Sequence, residues 1–149
     1  MKEKDTKEKR LRGFEGFTLI ELLVVMIILG LLASLVGPRL FGKVDKAKQQ
    51  TAQAQIELFS TALASFRLDI GRFPTEEEGL KSLIEKPSNL PKWDGPYLAK
   101  EIPKDPWGNN YVYKIPGEHG SYDLMSYGMD GVSGGEGNDL DIVSWKSLE

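Results

Sequence analysis

The chain of 149 residues contains no cysteine and one histidine, His119. Without thiols it forms no disulfide and offers no thiolate to a metal or substrate, while the redox compartment stays open. The lone histidine sits in a Pro116-Gly117-Glu118-His119-Gly120 turn, where a solvated loop residue is the expectation rather than a catalytic base or ligand. No Gly-x-x-x-x-Gly-Lys-Ser/Thr loop is present, so an energy-requiring step would belong to other proteins. Basic charge is also scarce. Residues 1–16 carry six lysines and arginines against four acids, and the rest carries 13 basic and 18 acidic side chains, a net of -5. That balance excludes a nucleic-acid partner. No nucleophile and base stand in an enzymatic arrangement, and the length leaves room for one anchor and one small domain, so no enzyme is expected.

Long apolar runs are equally few: one, residues 17–36, with a single charge, Glu21. About 20 apolar residues cross the ~30 Å hydrocarbon layer, so this run has the length of a membrane helix. An unpaired charge at a helix centre costs ~2.5 to 3.5 kcal/mol there, and less one turn from the end. Glu21 is therefore a functional candidate, with a seat among lipid headgroups as the plainer reading. The run exceeds the apolar part of a secretory signal, and Val36-Gly37-Pro38-Arg39 follows it instead of a small-residue cleavage site. A retained anchor is expected. The basic residues before it favour a cytoplasmic N-terminus, although Arg39, Lys43, Lys46 and Lys48 beyond it reduce the contrast.

Gly16-Phe17-Thr18-Leu19-Ile20-Glu21-Leu22 resembles the signal shared by type IV pilins and the pseudopilins of type II secretion. The resemblance implies that a prepilin peptidase and N-methyltransferase cuts between Gly16 and Phe17 and methylates the new amine of Phe17. Glu21 then lies one helical turn from that amine, on the same face. Pairing the two within a subunit, or between neighbours, lowers the cost of both, and between neighbours it also sets a stagger.

Gly37-Pro38 predicts a kink or local unwinding. Beyond it, residues 39–70 read as one amphipathic helix with two stripes. Leu58, Phe59, Leu63, Phe66 and Ile70 are assigned to the core, and the Lys- and Gln-rich first half to stalk and subunit contact. Gly71 caps that helix, and Thr75 with Glu78 forms a capping box that opens a short helix over 76–85. Seven prolines and glycines then break the chain, from Pro87 to Gly108, around Trp93, Tyr97, Leu98, Ile102 and Trp107: a packed loop. Strands are expected at 111–115, 122–127 and 142–145.

Between the last two strands, residues 128–141 hold five glycines with Asp130, Glu136, Asp139 and Asp141. Hard oxygens on a tightly folding backbone suit calcium, yet the spacing is not that of an EF-hand. A flexible acidic loop and a metal loop both remain open on spacing alone. Arg72-Phe73-Pro74-Thr75, Gly95-Pro96-Tyr97-Leu98, Pro103-Lys104-Asp105-Pro106-Trp107-Gly108-Asn109 and this loop resemble the major pseudopilins of type II secretion, over 16–145. The resemblance implies an α+β, type IV pilin-like fold: a long N-terminal helix, membrane-spanning in its first half, packed by its second half on a small C-terminal antiparallel sheet. It also implies a structural calcium ion held by Asp130, Asp139 and Asp141 with the carbonyls of Tyr127 and Val132.

The organisation implied is a leader at 1–16, an assembly helix at 17–36 and a periplasmic domain at 37–149, anchored in the inner membrane. Expected partners are further copies of the chain, minor pseudopilins, the processing peptidase, an inner-membrane assembly platform and membrane lipid. The function implied is a filament subunit that drives folded proteins across an outer membrane. Alternatives are a type IV pilin for adhesion or twitching, which commonly uses a disulfide this chain cannot make, and a membrane-anchored calcium-binding module that never polymerises.

Overall fold

A computed structural model describes residues 16–148; the expected leader falls outside them except for Gly16. Helix α1 spans Leu19–Ile70. Strands β1 (Val112–Lys114), β2 (Asp123–Ser126) and β3 (Ile142–Val143) form one antiparallel sheet in that order. The chain divides into two units, Met1–Leu40 and Phe41–Glu149. The first unit's described part is the start of α1 with three residues before it. Its backbone remains helical through Pro38, so the expected unwinding at Gly37-Pro38 does not interrupt the element.

The second unit holds the core. Ala52, Ile56, Phe59, Ala62, Leu63 and Phe66 repeat at three-and-four spacing along α1 and are all buried. They cluster with Leu83 from the loop region, with Tyr111 just before β1, and with Tyr113, Leu124 and Ile142 from the sheet. Phe59 meets the edge of Tyr111 at 5.1 Å between ring centres, and Phe66 meets Tyr97 at 5.6 Å. Ile70 packs against this cluster at partial exposure. Leu58 does not: it is 57% exposed, which corrects its assignment to the core. It lies about 100° around the helix from Phe59, on the other stripe. That stripe, with Phe41, Val44, Ala47, Thr51 and Ala54, faces outward.

Thr75 and Glu78 form the expected reciprocal cap. The Glu78 N–H donates to Thr75 Oγ1 (3.2 Å), and the Thr75 N–H donates to Glu78 Oε2 (2.9 Å). The helix expected to follow is not α-helical. Gly79 takes φ 53°, ψ -167°, which stops propagation after one turn, and only a 3-10 helix, Leu80–Leu83, continues. The proline-rich stretch is packed as expected: Trp93 Nε1 donates to the Ser82 carbonyl (2.8 Å), the Tyr97 N–H to the Leu83 carbonyl (2.7 Å), and the Tyr97 hydroxyl to Asp69 (2.8 Å). All three strands fall inside their expected ranges but are shorter, because irregular backbone on either side leaves the ladder early.

Two carboxylates tie the loops to this frame. Arg72 donates from both ends of its guanidinium to Glu78, at 2.7 and 2.8 Å. Those bonds hold the Glu78 carboxyl below its usual range, against burial and with help from the Thr75 N–H. Burial pushes Asp123 up, but bonds from the His119 ring and from the Glu118 and His119 N–H groups outweigh it, so Asp123 also titrates low. For an acid whose folded pKa is depressed, the stabilisation is complete above its ordinary value, about 4.3 for Glu and 3.9 for Asp, and is lost as pH falls through the lowered one. Melting temperature in chelator should therefore fall below about pH 4. Glu78→Gln should melt lower than the parent at pH 6, with the gap narrowing on acidification; a gap constant with pH would show that the Glu78 charge is not involved.

Candidate functional site

In the first unit, Gly16 and Phe17 precede the helix in non-helical, exposed backbone, so the peptide bond between them lies outside α1. From Leu19 to Val36 the large apolar side chains are exposed, and α1 is the one helix among the described residues long and apolar enough to cross a membrane.

Glu21 has a local role that sequence reasoning passed over. Its N–H donates to Thr18 Oγ1 (3.2 Å), and the Thr18 N–H donates back to Glu21 Oε2 (3.4 Å). Thr18-Leu19-Ile20-Glu21 is thus a second capping box, with the same Thr-x-x-Glu signature as Thr75 to Glu78. One carboxylate oxygen serves the helix start. The other accepts no hydrogen bond among the described residues and is chemically able to meet a cation.

In the second unit, β2 delivers the chain into the glycine-rich loop. Five glycines there take positive φ, from 62° at Gly137 to 102° at Gly134. Two of them are sterically required. A Cβ on Gly135 would lie 2.5 Å from the Asp139 carbonyl oxygen, and one on Gly128 would lie 2.9 Å from that of Asn138. The entry and return of the loop are thereby pressed together, and the Met129 N–H donates to the Asn138 carbonyl (2.9 Å) to close it. Asp139 ends a 3-10 turn, Gly137–Asp139, and the side chain of Gln49 on α1 donates to the Gly137 carbonyl (2.5 Å).

The expected ligands are on this closed loop, but three carboxylates are not drawn together: among the described residues no three Asp, Glu, His or Cys side chains gather as metal ligands. Asp130 Oδ1 accepts the Val132 N–H (3.0 Å), and Asp141 Oδ2 accepts the Gly134 N–H (2.8 Å). Asp141 Oδ1 is different. It is buried and has no hydrogen-bond partner. An unpartnered carboxylate oxygen is costly to bury, and a hard cation would satisfy it. The acidic side chains on this loop offer oxygen alone, which fits calcium better than a metal preferring nitrogen or sulfur.

His119 is an exposed loop residue, as expected, and its ring is also held by partners. Its ring stacks on Trp145 at 3.9 Å between centres and 4° between planes, with Nδ1 3.0 Å from Asp123. Trp145 comes from 26 positions along the chain, beyond the reach of local pattern reading.

With this geometry in place, comparison with known proteins identifies the lineage. The family model described as Type II secretion system (T2SS), protein G, matches residues 39–145, and that of the prokaryotic N-terminal methylation motif matches residues 11–37. The type II secretion system core protein G of Vibrio cholerae is 45% identical over 140 residues, covering 92% of this chain and 95% of that protein. Its counterpart in Escherichia coli K12 is 47% identical over 134 residues, 87% of this chain and 90% of the relative. The crystal structure of the major pseudopilin from the type 2 secretion system of enterohaemorrhagic Escherichia coli aligns with a TM-score of 0.60 at 37% identity, covering 71% of this chain and 89% of that one. Matched by the protein G model over most of its length and by its relatives nearly end to end, the chain belongs to the protein G family of type II secretion systems.

Proposed function

We propose that this chain is a structural, non-enzymatic subunit of the type II secretion pseudopilus, cut between Gly16 and Phe17, N-methylated at Phe17 and polymerised through the first part of α1. One observation carries the reading: an exposed apolar helix with a single carboxylate, Glu21, begins directly after a non-helical Gly16-Phe17 segment. Among the described residues such a helix has no partner within its own unit, and water is the wrong solvent for it. Before assembly, lipid of the inner membrane covers it, with the N-terminus cytoplasmic and the second unit periplasmic. In the filament, the same helix of neighbouring copies replaces the lipid. Minor pseudopilins and an inner-membrane assembly platform are the further partners. The family matched is that of the secretion protein, which sets aside the adhesive type IV pilin as the alternative.

Glu21 gives this assembly a register. With one oxygen on the Thr18 N–H, its carboxylate still presents charge near the helix start, where the Phe17 amine of a neighbour would be its natural partner. In the second unit, Asp130, Asp139 and Asp141 with the carbonyls of Tyr127 and Val132 would hold calcium. When bound, the ion supplies the positive charge that the loop's own residues lack. The residues' part is to close the loop through the Met129–Asn138 bond, to hold Asp130 and Asp141 by the Val132 and Gly134 N–H groups, and to leave Asp141 Oδ1 unpartnered.

Processing is testable directly. Mass spectrometry of the protein from cells that contain a prepilin peptidase should show a chain beginning at Phe17 with one methyl group on its amine. A chain retaining Gly16 would contradict the reading.

A further inference from the structure

A buried polar network underlies the glycine-rich loop without contributing any acid to it. Asp105 is only 4% exposed. Its Oδ1 accepts the N–H groups of Asn109 (2.7 Å) and Trp107 (3.1 Å), and its Oδ2 accepts the Ser126 hydroxyl (2.6 Å). The Asp105 N–H donates to the Asn109 carbonyl (2.8 Å), and the Gly108 N–H to the Asp105 carbonyl (2.9 Å), which closes a tight turn. One side chain from this turn and one from the end of β2 reach the same residue. Ser126 Oγ accepts the Gly128 N–H (3.3 Å), and Asn109 Nδ2 donates to the Gly128 carbonyl (3.0 Å). Both backbone polar groups of Gly128 are thus held by side chains that Asp105 anchors.

Gly128 is where the loop leaves β2, at φ 67°, packed against the backbone of Asn138, Asp139 and Leu140. It therefore sets the distance between the limb carrying Asp130 and the limb carrying Asp139 and Asp141. The Asn109 amide also lies about one contact distance, 3.5 Å, from where a side chain on Gly131 would start, so it supports the first limb beyond Gly128 as well. A buried carboxylate is an expensive way to fix a turn, and an apolar residue fills space at lower cost. What the carboxylate adds here is a fixed position for Ser126 and Asn109, and both act on Gly128.

We propose that Asn109, held in place by Asp105 and acting together with Ser126, is a positioning residue for the cation loop: it fixes the loop entry, so that less of the loop has to rearrange when the acidic residues and carbonyls close on an ion. This rests on the calcium reading above. Asn109→Ala is the informative variant, because the turn is closed through the Asn109 backbone, which the substitution keeps, and only the reach to Gly128 is lost.

Calcium chloride titrated calorimetrically into chelator-treated, detergent-solubilised protein should give a dissociation constant about 10- to 100-fold higher for Asn109→Ala than for the parent, the usual loss on removing such an outer partner. Phe66→Leu, in the core and away from the loop, should lower the melting temperature and leave the dissociation constant unchanged. Equal affinity in the parent and Asn109→Ala would overturn the positioning role while leaving the calcium reading intact. Equal weakening in Asn109→Ala and Phe66→Leu would also overturn it, since general softening would then suffice. A parent protein that takes up no calcium would overturn the calcium reading itself, and this inference with it.

Discussion

Glu21→Ala should abolish filaments while leaving the cut before Phe17 and the fold of the second unit unaffected. The substitution removes the one charge from the apolar run and leaves each incoming amine unpaired within it. An unpaired charge costs up to about 3 kcal/mol at membrane depth. Each 1.4 kcal/mol is a factor of ten, so adding a subunit becomes up to about a hundredfold less favourable at every junction. The capping box complicates this variant, because alanine also releases the Thr18 N–H and starts the helix less firmly, at about 1 kcal/mol. Glu21→Gln separates the two effects. Glutamine retains the cap and removes the charge. If pairing with an amine is what counts, both variants fail to assemble in sedimentation of membrane extracts; if Glu21→Gln assembles like the parent, the carboxylate's work is done by capping alone.

Chelation of calcium should lower the melting temperature of the detergent-solubilised protein, by on the order of 10 to 20 °C. A ligand present at a hundred times its dissociation constant stabilises the folded state by about 2.7 kcal/mol. In a domain of roughly 100 residues, each kcal/mol shifts the midpoint by about 4 to 8 °C. Asp141→Asn should show little change in chelator and a much smaller rise with calcium, because it alters the one carboxylate oxygen among the described residues that is buried without a protein partner. A thermal midpoint indifferent to calcium in the parent would remove the ion from the account.

The parts of this molecule that were legible in its sequence are those whose partners lie within a turn or two. The buried face of α1 through Phe59, Leu63 and Phe66 follows from spacing, as does the cap at Thr75 and Glu78. Leu58 was misassigned because two apolar stripes run side by side along one helix, and periodicity does not say which of them the sheet covers. The short helix after Thr75 failed at one residue: Gly79 leaves the helical region, a choice that glycine permits and composition does not reveal.

Contacts between distant positions left no local trace. Asp105 meets Ser126 across 21 residues, and His119 stacks on a tryptophan from the far side of β3. The glycine-rich loop shows both cases at once. Its capacity for positive φ was readable in its five glycines, whereas the orphaned oxygen of Asp141 emerges only when β2 and β3 bring the two limbs together. At Thr18 the Thr-x-x-Glu capping signature is local and fully legible, since both of its bonds lie within one helical turn.

Assembly through α1 is the claim on which the rest depends, and electron microscopy of the chain produced in a membrane with a prepilin peptidase and the assembly platform tests it most directly. Thin filaments whose subunits pack N-terminal helix against N-terminal helix, with Glu21 of one copy beside the Phe17 amine of the next, are the predicted result. Protein that is cleaved and folded, yet present only as single anchored copies, would contradict it.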